Sequence, residues 1–494
     1  MGEGISKSRA RTEPAGPICQ IQVDWNENVR IPPIVIRYLL AFTAVLPVCA
    51  SAQLAPDTVR SIDAIVAKAL EDKSVPSVSI AIVKDGKLAY AQAYGVARID
   101  QGLKATTRMR YKIGSNTKQF VAAAMLLLVQ DGKVSLDDKV ARFLPDLTRA
   151  GDVTVRQLLA HTAGYPDYYP LDYVAPFMAK PTTVDAILAN WGKRPLSFEP
   201  GSRWEYSNTG YAIAGRIIEK ASGMSLDAFI RTHITDKLDM RSVVDTSATA
   251  WDACDPQGYE VAALGPPHPA RPEGRYWIWA AGNLAMTASD LARWDIALLH
   301  DVILSKASRQ EISKENLLSG GTGTNYGLGL FVRTTPEGRL RWDHGGEASG
   351  FRSQNTVFPN DDTAIVVLTN GTGATSEKVT GEVEALLFAP SVDPAAPLAL
   401  NKVRALFAQL QDGHPDRSMM SDGLSAYFSE QVIADFAASL KPMGDIVNIV
   451  EARSDHRGGL AYRFFRIKSA DKTVGVSTYF TPDGKLDQFL VYPR

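Results

Sequence analysis

The chain has no excess of charge of either sign. It carries 53 Lys and Arg against 54 Asp and Glu, so its formal net charge is −1, and the basic residues are spread along its length. This balance excludes an extended nucleic-acid surface and a disordered acidic tail. Internal repeats and low-complexity tracts are also absent. With 494 residues, 45% of them apolar, the chain can form two or three domains with large cores.

The sequence also lacks an apolar run long enough to span a membrane. The apolar stretch from Tyr38 to Val48 is too short for a span, and it lies between Arg37 and Ala50-Ser51-Ala52. A basic residue, a short apolar core and a small-residue site are typical of a secretory signal peptide, and a buried helix is the alternative. We predict a signal peptide near 37–52 after an N-terminal extension, and a periplasmic or secreted protein without a stable membrane span.

Cysteine and histidine are scarce, with three and seven residues. Cleavage after Ala52 would remove Cys19 and Cys49 and leave Cys254, which excludes an internal disulfide and a cysteine metal cluster in the exported chain. A lone cysteine is most often a small, partly buried apolar side chain, and a nucleophile is the alternative. The histidines are scattered without metal-ligand spacing, so we predict no metal and no other cofactor.

Strand patterns at both ends of the first 390 residues enclose a helical middle. The stretch 75–96 alternates around Asp85-Gly86 and predicts a β-hairpin. Helical spacing predicts a helix over 115–130, and residues 135–300 consist mostly of helices and loops. Further strands are predicted at 326–332, 340–344, 352–359 and 363–370, with a helix at 376–388. The predicted fold class is α+β, with one antiparallel sheet built from both ends, flanking helices and an inserted helical subdomain.

A Pro/Ala-rich stretch at 389–399 indicates a linker. Helices near 400–412 and 421–440, followed by four strands, predict a small C-terminal α+β domain, whose pattern resembles the NTF2-like cone fold. The predicted division is an N-terminal extension and signal peptide (1–52), a main domain (53–390), a linker (391–400) and an accessory domain (401–494).

Ser115 and Lys118 form a Ser-x-x-Lys pair at the start of the predicted helix. The two side chains share one helix face, and the N–H groups of a helix N-terminus favour an alkoxide and an oxyanion. Ser469 and Lys472 have the same spacing, but they lie between two predicted strands. Ser115 is therefore a candidate nucleophile with Lys118 as its proton partner. The alternative is a helix N-cap beside a solvated lysine.

Two further stretches contain candidate polar groups. Tyr206-Ser207-Asn208 provides a phenol that could carry a proton and an amide that could bind Lys118 or a substrate amide, or else a buried tyrosine and a turn. His344-Gly345-Gly346 follows a strand, and its glycines would let a ligand lie against the strand backbone. His344 could bind a substrate carboxylate or help to transfer a proton, and an ordinary glycine-rich turn is the alternative.

In their order along the chain, these three stretches resemble the serine β-lactamase and penicillin-binding protein family, whose signature is Ser-x-x-Lys, Tyr-x-Asn and a Lys-Thr-Gly-like strand. "VRQLLAHTAGYPDY" (155–168), "GNLAMTASDLARW" (282–294) and "YGLGL" (326–330) are similar to the class C β-lactamase branch, with its D-aminopeptidase, D-alanyl-D-alanine carboxypeptidase and esterase relatives. The resemblance spans about residues 58–390.

The resemblance implies a role for each matching residue. Ser115 is the acylated nucleophile, Lys118 holds the proton network and lowers the pKa of its neighbours, and Tyr206 is the general base. Asn208 orients Lys118 and the substrate. The backbone N–H groups of Ser115 and Glu347 form the oxyanion hole.

One departure from the family signature concerns the substrate. His344, Gly345 and Gly346 replace Lys-Thr-Gly, and a neutral imidazole binds the carboxylate of a β-lactam less well than a lysine does. Variants of this kind in the family tend to be peptidases and esterases. We therefore expect an exported serine hydrolase that acts on an ester or a small peptide amide through an acyl-enzyme, with weak β-lactam turnover.

The alternative function is a penicillin-binding sensor or a non-turnover binding protein on the same fold. The expected partner is a small ester, peptide or β-lactam-like molecule, and no nucleic acid is expected. The aromatic residues of 164–173 and 274–282 either line the pocket or pack in the core. Substrate identity, oligomeric state and the true start of the chain stay open.

Overall fold

The computed structural model describes residues 53–493 except 72–73, 172, 264, 389–392 and 394. The predicted signal peptide lies outside these residues. The described strands are β1 (Ser77–Lys84), β2 (Lys87–Arg98), β3 (Leu103–Lys104), β4 (Tyr111–Lys112), β5 (Val244–Asp245), β6 (Tyr259–Val261), β7 (Pro267–Pro269), β8 (Leu284–Met286), β9 (Phe331–Thr334), β10 (Leu340–Ala348), β11 (Phe351–Phe358), β12 (Thr363–Thr369), β13 (Asn448–Arg457), β14 (Leu460–Lys468), β15 (Thr473–Phe480) and β16 (Leu486–Pro493).

Helices cover the sheet and form most of the middle of the chain. The described α-helices are α1 (Pro56–Leu70), α2 (Thr117–Gln130), α3 (Val155–Leu159), α4 (Val184–Ile187), α5 (Asn208–Ser222), α6 (Leu226–Ile230), α7 (Trp279–Gly282), α8 (Ala288–Leu299), α9 (Lys306–Ile312), α10 (Thr375–Leu387), α11 (Ala396–Asp412), α12 (Asp422–Tyr427) and α13 (Glu430–Leu440).

The main sheet has seven antiparallel strands in the order β3-β2-β1-β12-β11-β10-β9. β1 pairs with β12, with Val78 opposite Thr369, so the N-terminal hairpin and the later strands share one sheet as predicted. Asp85 and Gly86 have positive φ angles of 50° and 69°, as the predicted hairpin turn requires.

Both faces of the sheet are buried. Alternate β1 side chains, such as Ile80 and Ile82, pack in one apolar cluster with residues of α1 and α10. Ala81 and Val83 point the other way, into the large cluster that contains α2, α5 and α8. The result is an α+β fold with helices on both sides of an antiparallel sheet, which confirms the predicted fold class.

The stretch 326–330 does not form the strand that was predicted there. Tyr326 makes only an isolated bridge with Phe331, where β9 begins. Gly329 has φ +80°, and a Cβ added there would lie 2.6 Å from the carbonyl oxygen of Lys118. The stretch therefore passes against the backbone of helix α2, which only glycine permits.

The C-terminal residues form a second antiparallel sheet, in the order β13-β14-β15-β16. Helices α11 to α13 pack against it around an apolar cluster of their own, which includes Phe407, Phe465 and Val476. Helix α11 begins at Ala396, within the stretch predicted as a linker. The likeness to an NTF2-like cone stays a prediction.

Two sequence expectations concern the chain as a whole. In the described residues no helix is both long and apolar enough to cross a membrane. Cys254 is disulfide-bonded, and because Cys19 and Cys49 lie outside the described residues, a lone cysteine after cleavage stays a prediction.

Candidate active site

Ser115 is the one partly exposed residue in the buried segment 111–126. It is in a 3₁₀ turn, Gly114–Asn116, directly before α2, and every other residue from 111 to 126 is buried. Asn116, not Ser115, occupies the N-cap position of α2. The sequence alternative of a capping serine beside a solvated lysine is therefore wrong, because Lys118 is completely buried as well.

Lys118 makes three short contacts inside the protein. Its Nζ lies 2.9 Å from Ser115 Oγ, 2.9 Å from Asn208 Oδ1 and 2.7 Å from the carbonyl oxygen of Ala281. Burial lowers the pKa of Lys118 to about 7, although nearby Asp167 opposes the shift. The amide and carbonyl oxygens can only accept, so a neutral Lys118 donates both its protons to them. Its lone pair then faces the Ser115 hydroxyl.

Tyr206 also hydrogen-bonds to Ser115. The Lys118 Nζ is 4.8 Å from the centre of the Tyr206 ring, and the His161 ring packs on that ring at 4.2 Å. Burial raises the pKa of the Tyr206 phenol well above its usual range, with a smaller contribution from the charge of Asp167 and a lowering one from Ser115. The phenol therefore keeps its proton in the resting protein.

Asn208 is the first residue of α5 and is held by Asp167. One Asp167 oxygen accepts from the backbone N–H of Asn208 at 3.1 Å, and the other accepts from its Nδ2 at 3.2 Å. Nδ2 also donates to the carbonyl oxygen of Tyr169 at 3.3 Å. With both amide protons engaged in this way, Asn208 presents its oxygen to Lys118.

Strand β10 runs directly against the Ser115 turn. A Cβ on Gly346 would lie 1.9 Å from the carbonyl oxygen of Ile113, and a Cβ on Gly114 would lie 2.4 Å from the backbone nitrogen of Glu347. The glycines at 345–346 therefore allow this approach. It places the Glu347 nitrogen beside Ser115, where the resemblance expects an oxyanion hole.

His344 is buried beneath the site and does not line the cleft. The Ser207 N–H donates to His161 Nδ1 at 3.1 Å, so His161 Nε2 carries a proton toward Tyr326 Oη, 3.2 Å away. Tyr326 Oη in turn lies 3.1 Å from His344 Nε2, and His344 Nδ1 faces the carbonyl oxygen of Gly345. Burial and the positive charge of Lys118 lower the pKa of His344 to about 3. His344 is therefore the neutral last member of this series of hydrogen bonds.

A cleft of about 500 Å³ opens above Ser115. Tyr206, Asn208 and Glu347 line it, whereas Lys118 lies below its floor. The sequence left open whether the stretches 164–173 and 274–282 line the pocket or pack in the core. In the structure some of their residues line the cleft and others are buried. Tyr169, Tyr173 and Ile278 line the cleft, and Tyr168, Trp277 and Trp279 are buried.

The walls of the cleft are acidic. Five carboxylate residues line it, against a single arginine, Arg271. The acidic residues are Asp167, Glu205, Glu260, Glu273 and Glu347. Glu347 is paired with Arg352 at 2.9 Å, and Glu205 with Arg203 at 2.7 Å, while Glu273 hydrogen-bonds to the Ser349 turn. Arginines therefore balance part of the charge, and the excess of carboxylates that remains favours a substrate that carries an ammonium group.

Sequence reasoning missed Asp167, His161 and Tyr326, because each acts through a hydrogen bond to a residue distant in the chain. The second Ser-x-x-Lys pair, in contrast, has only a structural environment. Ser469 donates to the carbonyl oxygen of Lys472, 3.3 Å away, in the turn between β14 and β15. In the described residues no cluster of three or more His, Cys, Asp or Glu has the geometry to hold a metal ion.

The sequence and the fold of the chain are similar to those of known proteins. The β-lactamase family model matches residues 62–388, and the chain therefore belongs to the β-lactamase family of serine hydrolases. It is 27% identical over 394 residues to "Penicillin-binding protein 4*" of Bacillus subtilis (strain 168), covering 74% of this chain and 84% of that protein.

Two solved structures share the fold. An octameric penicillin-binding protein homologue from Pyrococcus abyssi aligns with a TM-score of 0.59 at 21% identity, covering 88% of this chain and 99% of the other. D-amino acid amidase from Ochrobactrum anthropi SV3, complexed with D-phenylalanine, aligns with a TM-score of 0.59 at 26% identity, covering 67% of this chain and 98% of the amidase.

Proposed function

We propose that the protein hydrolyses amides or esters of small molecules that carry a free amino group, with D-amino acid amides and short D-peptides as the preferred class. Ser115 forms the acyl-enzyme. The observation that carries this proposal is the acidic cleft around a partly exposed Ser115. An ammonium group is attracted by these carboxylates, whereas the carboxylate of a β-lactam is repelled. The D-amino acid amidase, similar in fold, supports the same substrate class.

Acylation begins at Ser115. The neutral Lys118 amine removes the hydroxyl proton as the Ser115 Oγ forms a bond to the substrate carbonyl carbon. The backbone N–H groups of Ser115 and Glu347 stabilise the resulting oxyanion. The bond to the leaving amine or alcohol breaks as Tyr206 donates its proton to the leaving atom, and the Lys118 ammonium returns a proton to Tyr206.

Deacylation repeats these steps with water. Lys118 takes a proton from the water as its oxygen attacks the acyl carbon, and the bond to Ser115 Oγ breaks. The Lys118 ammonium returns this proton to the serine oxygen, 2.9 Å away, and the carboxylic acid leaves. The family resemblance implies that Tyr206 is the general base, whereas the direction of the two pKa shifts favours Lys118 for the first proton transfer.

Location and organisation complete the proposal. The signal-like stretch at 37–52 supports export to the periplasm or the exterior. The separate apolar cluster of the C-terminal residues supports an accessory domain from about residue 401 onward.

Steady-state hydrolysis of four substrates tests the proposal. These are D-phenylalanine p-nitroanilide, its N-acetyl derivative, p-nitrophenyl acetate and a chromogenic cephalosporin. We expect the free amine to be preferred over the N-acetyl form by at least about tenfold. Ser115→Ala should abolish turnover, and Ser469→Ala, in the second Ser-x-x-Lys pair, should leave it unchanged. Fast cephalosporin hydrolysis would refute the substrate class, and a stable adduct without turnover would indicate a sensor.

A further inference from the structure

Asp167 lies in the wall of the cleft, and the family signature gives it no role. It is neither a nucleophile nor a base for Ser115, yet its carboxylate forms three hydrogen bonds that organise the site. One oxygen accepts from the backbone N–H groups of Tyr169 and Asn208, both at 3.1 Å. The other accepts from Asn208 Nδ2 at 3.2 Å. Asp167 thus holds Asn208 by both its backbone and its side chain.

We propose that Asp167 is a positioning residue, which fixes the Asn208 amide so that the lone pair of Lys118 points at Ser115. This inference rests on the proposed function. With the Asn208 amide reversed, its NH₂ group would face Lys118 and its oxygen would face the Asp167 carboxylate and the Tyr169 carbonyl oxygen. The amide oxygen would then face two other hydrogen-bond acceptors, with no proton to share between them. The Asp167 carboxylate therefore excludes this orientation.

The observed orientation determines what Lys118 can do. Asn208 Oδ1 and the Ala281 carbonyl oxygen take its two amine protons, at 2.9 and 2.7 Å. The third position of the nitrogen faces Ser115 Oγ, at 2.9 Å. A reversed Asn208 would donate to the lone pair of Lys118 and compete with the serine hydroxyl for it.

Asp167 also supplies a negative charge that acts on Lys118. The other titratable side chains around Lys118 are His161, His344, Tyr206 and Tyr211. Burial lowers the pKa of both histidines and raises the pKa of both tyrosines, so all four are neutral near pH 7. Burial raises the pKa of Asp167, and the two backbone N–H donors and the charge of Lys118 oppose this shift by favouring the ionised carboxylate. Its charge therefore raises the pKa of Lys118 against the effect of burial.

The pH dependence of kcat/KM for D-phenylalanine p-nitroanilide tests this role. Asp167→Asn removes the charge and should move the acid limb of the profile about one pH unit lower, because Lys118 then loses its proton more readily. The plateau value should fall about tenfold, because the orientation of Asn208 is no longer enforced. Asp167→Glu keeps the charge and should restore the position of the limb. Asp137→Asn, on the surface, is the control that should leave the profile unchanged.

Three results separate the possibilities. A lowered plateau together with a shifted limb in Asp167→Asn, with the limb restored in Asp167→Glu, supports the proposal. A profile that overlays the wild type, or a uniform loss of rate with an unmoved limb, overturns it. If Asp167→Asn melts well below the wild type, the Asp167→Glu profile decides, and a limb that moves despite the retained charge overturns it. Failure of the proposed function itself would be seen separately, as wild-type turnover that survives Ser115→Ala.

Discussion

Burial changes the chemistry of Lys118. A lysine on a helix surface is an ammonium ion at pH 7, but at this position the side chain is completely buried and its pKa is lowered to about 7. Spacing along the helix predicts that Lys118 and Ser115 are neighbours. It does not predict burial, which comes from helix α5 and Ala281, far away in the chain. The base of the site could therefore be located from the sequence, but its protonation state could not.

The activity should depend on pH through Lys118. Because its neutral form is the proton acceptor, kcat/KM should rise as the pH rises through about 7 and reach a plateau above that value. Rates measured between pH 5 and pH 9 with D-phenylalanine p-nitroanilide check this. A maximum near pH 5 would show that the protonated lysine is the competent form.

At the scale of elements, the hairpin, helix α2 and the order of the later strands follow from periodicity and turn residues. Contacts between elements that are distant in the chain cannot be predicted from these patterns. The stretch 326–330 has strand composition but crosses the backbone of α2 at Gly329 instead. Similarly, β1 alternates apolar and polar residues, yet Ser77 and Ser79 are buried, because helices cover both faces of the sheet. The short-range sequence pattern therefore predicts the strands but not which elements pack against them.

The close approach of β10 to the Ser115 turn predicts a selective effect of two glycine substitutions. Gly346→Ala should destabilise the protein by about 1–3 kcal/mol and reduce activity, because the new methyl would lie 1.9 Å from the Ile113 carbonyl oxygen. Gly381→Ala in α10, with no atom within 4 Å of the new Cβ, should stabilise by about 0.5–1 kcal/mol. Melting temperatures of both variants check this, and equal effects would contradict the described packing.

Helix α8 carries a buried carboxyl group that should lower stability at neutral pH. Asp295 accepts from Asn355 Nδ2 at 2.7 Å, while its second oxygen has no hydrogen-bond partner. Burial raises its pKa well above the usual value. Because the raised pKa makes the folded carboxyl ionise at a higher pH than the unfolded one, which ionises near pH 4, folding stability falls as the pH rises from about 4 towards the folded pKa.

Asp295→Asn should therefore raise the free energy of unfolding at pH 7 by about 1 kcal/mol or more. Urea denaturation at pH 7 and at pH 3.5 checks this. The gain in stability of the variant over the wild type should shrink at pH 3.5, where Asp295 is mostly protonated in the unfolded as well as in the folded wild-type protein. A destabilised variant at pH 7 would show that Asp295 is ionised and paired.

At the scale of the whole molecule, the apolar residues form separate clusters. Among the residues that the structure describes, the C-terminal cluster shares no buried residue with the two that flank the main sheet. The Pro/Ala-rich composition near residue 390 predicts this separation, although α11 begins earlier than expected. We find no short motif in the C-terminal residues that indicates a function for them.

Separate cores should unfold separately. Scanning calorimetry should show two transitions, and D-phenylalanine amide added to the Ser115→Ala variant should raise only the transition of the main domain. A single transition that shifts as a whole would show that the two units unfold together.

The central claim is that Ser115 becomes acylated during turnover. Intact-protein mass spectrometry of an acid-quenched reaction with p-nitrophenyl acetate tests it most directly. The wild type should gain the mass of one acetyl group, localised by peptide mapping to the segment that contains Ser115, and Ser469→Ala should behave in the same way. Ser115→Ala should gain none. An adduct of equal yield on Ser115→Ala, or on another residue of the wild type, would contradict the account.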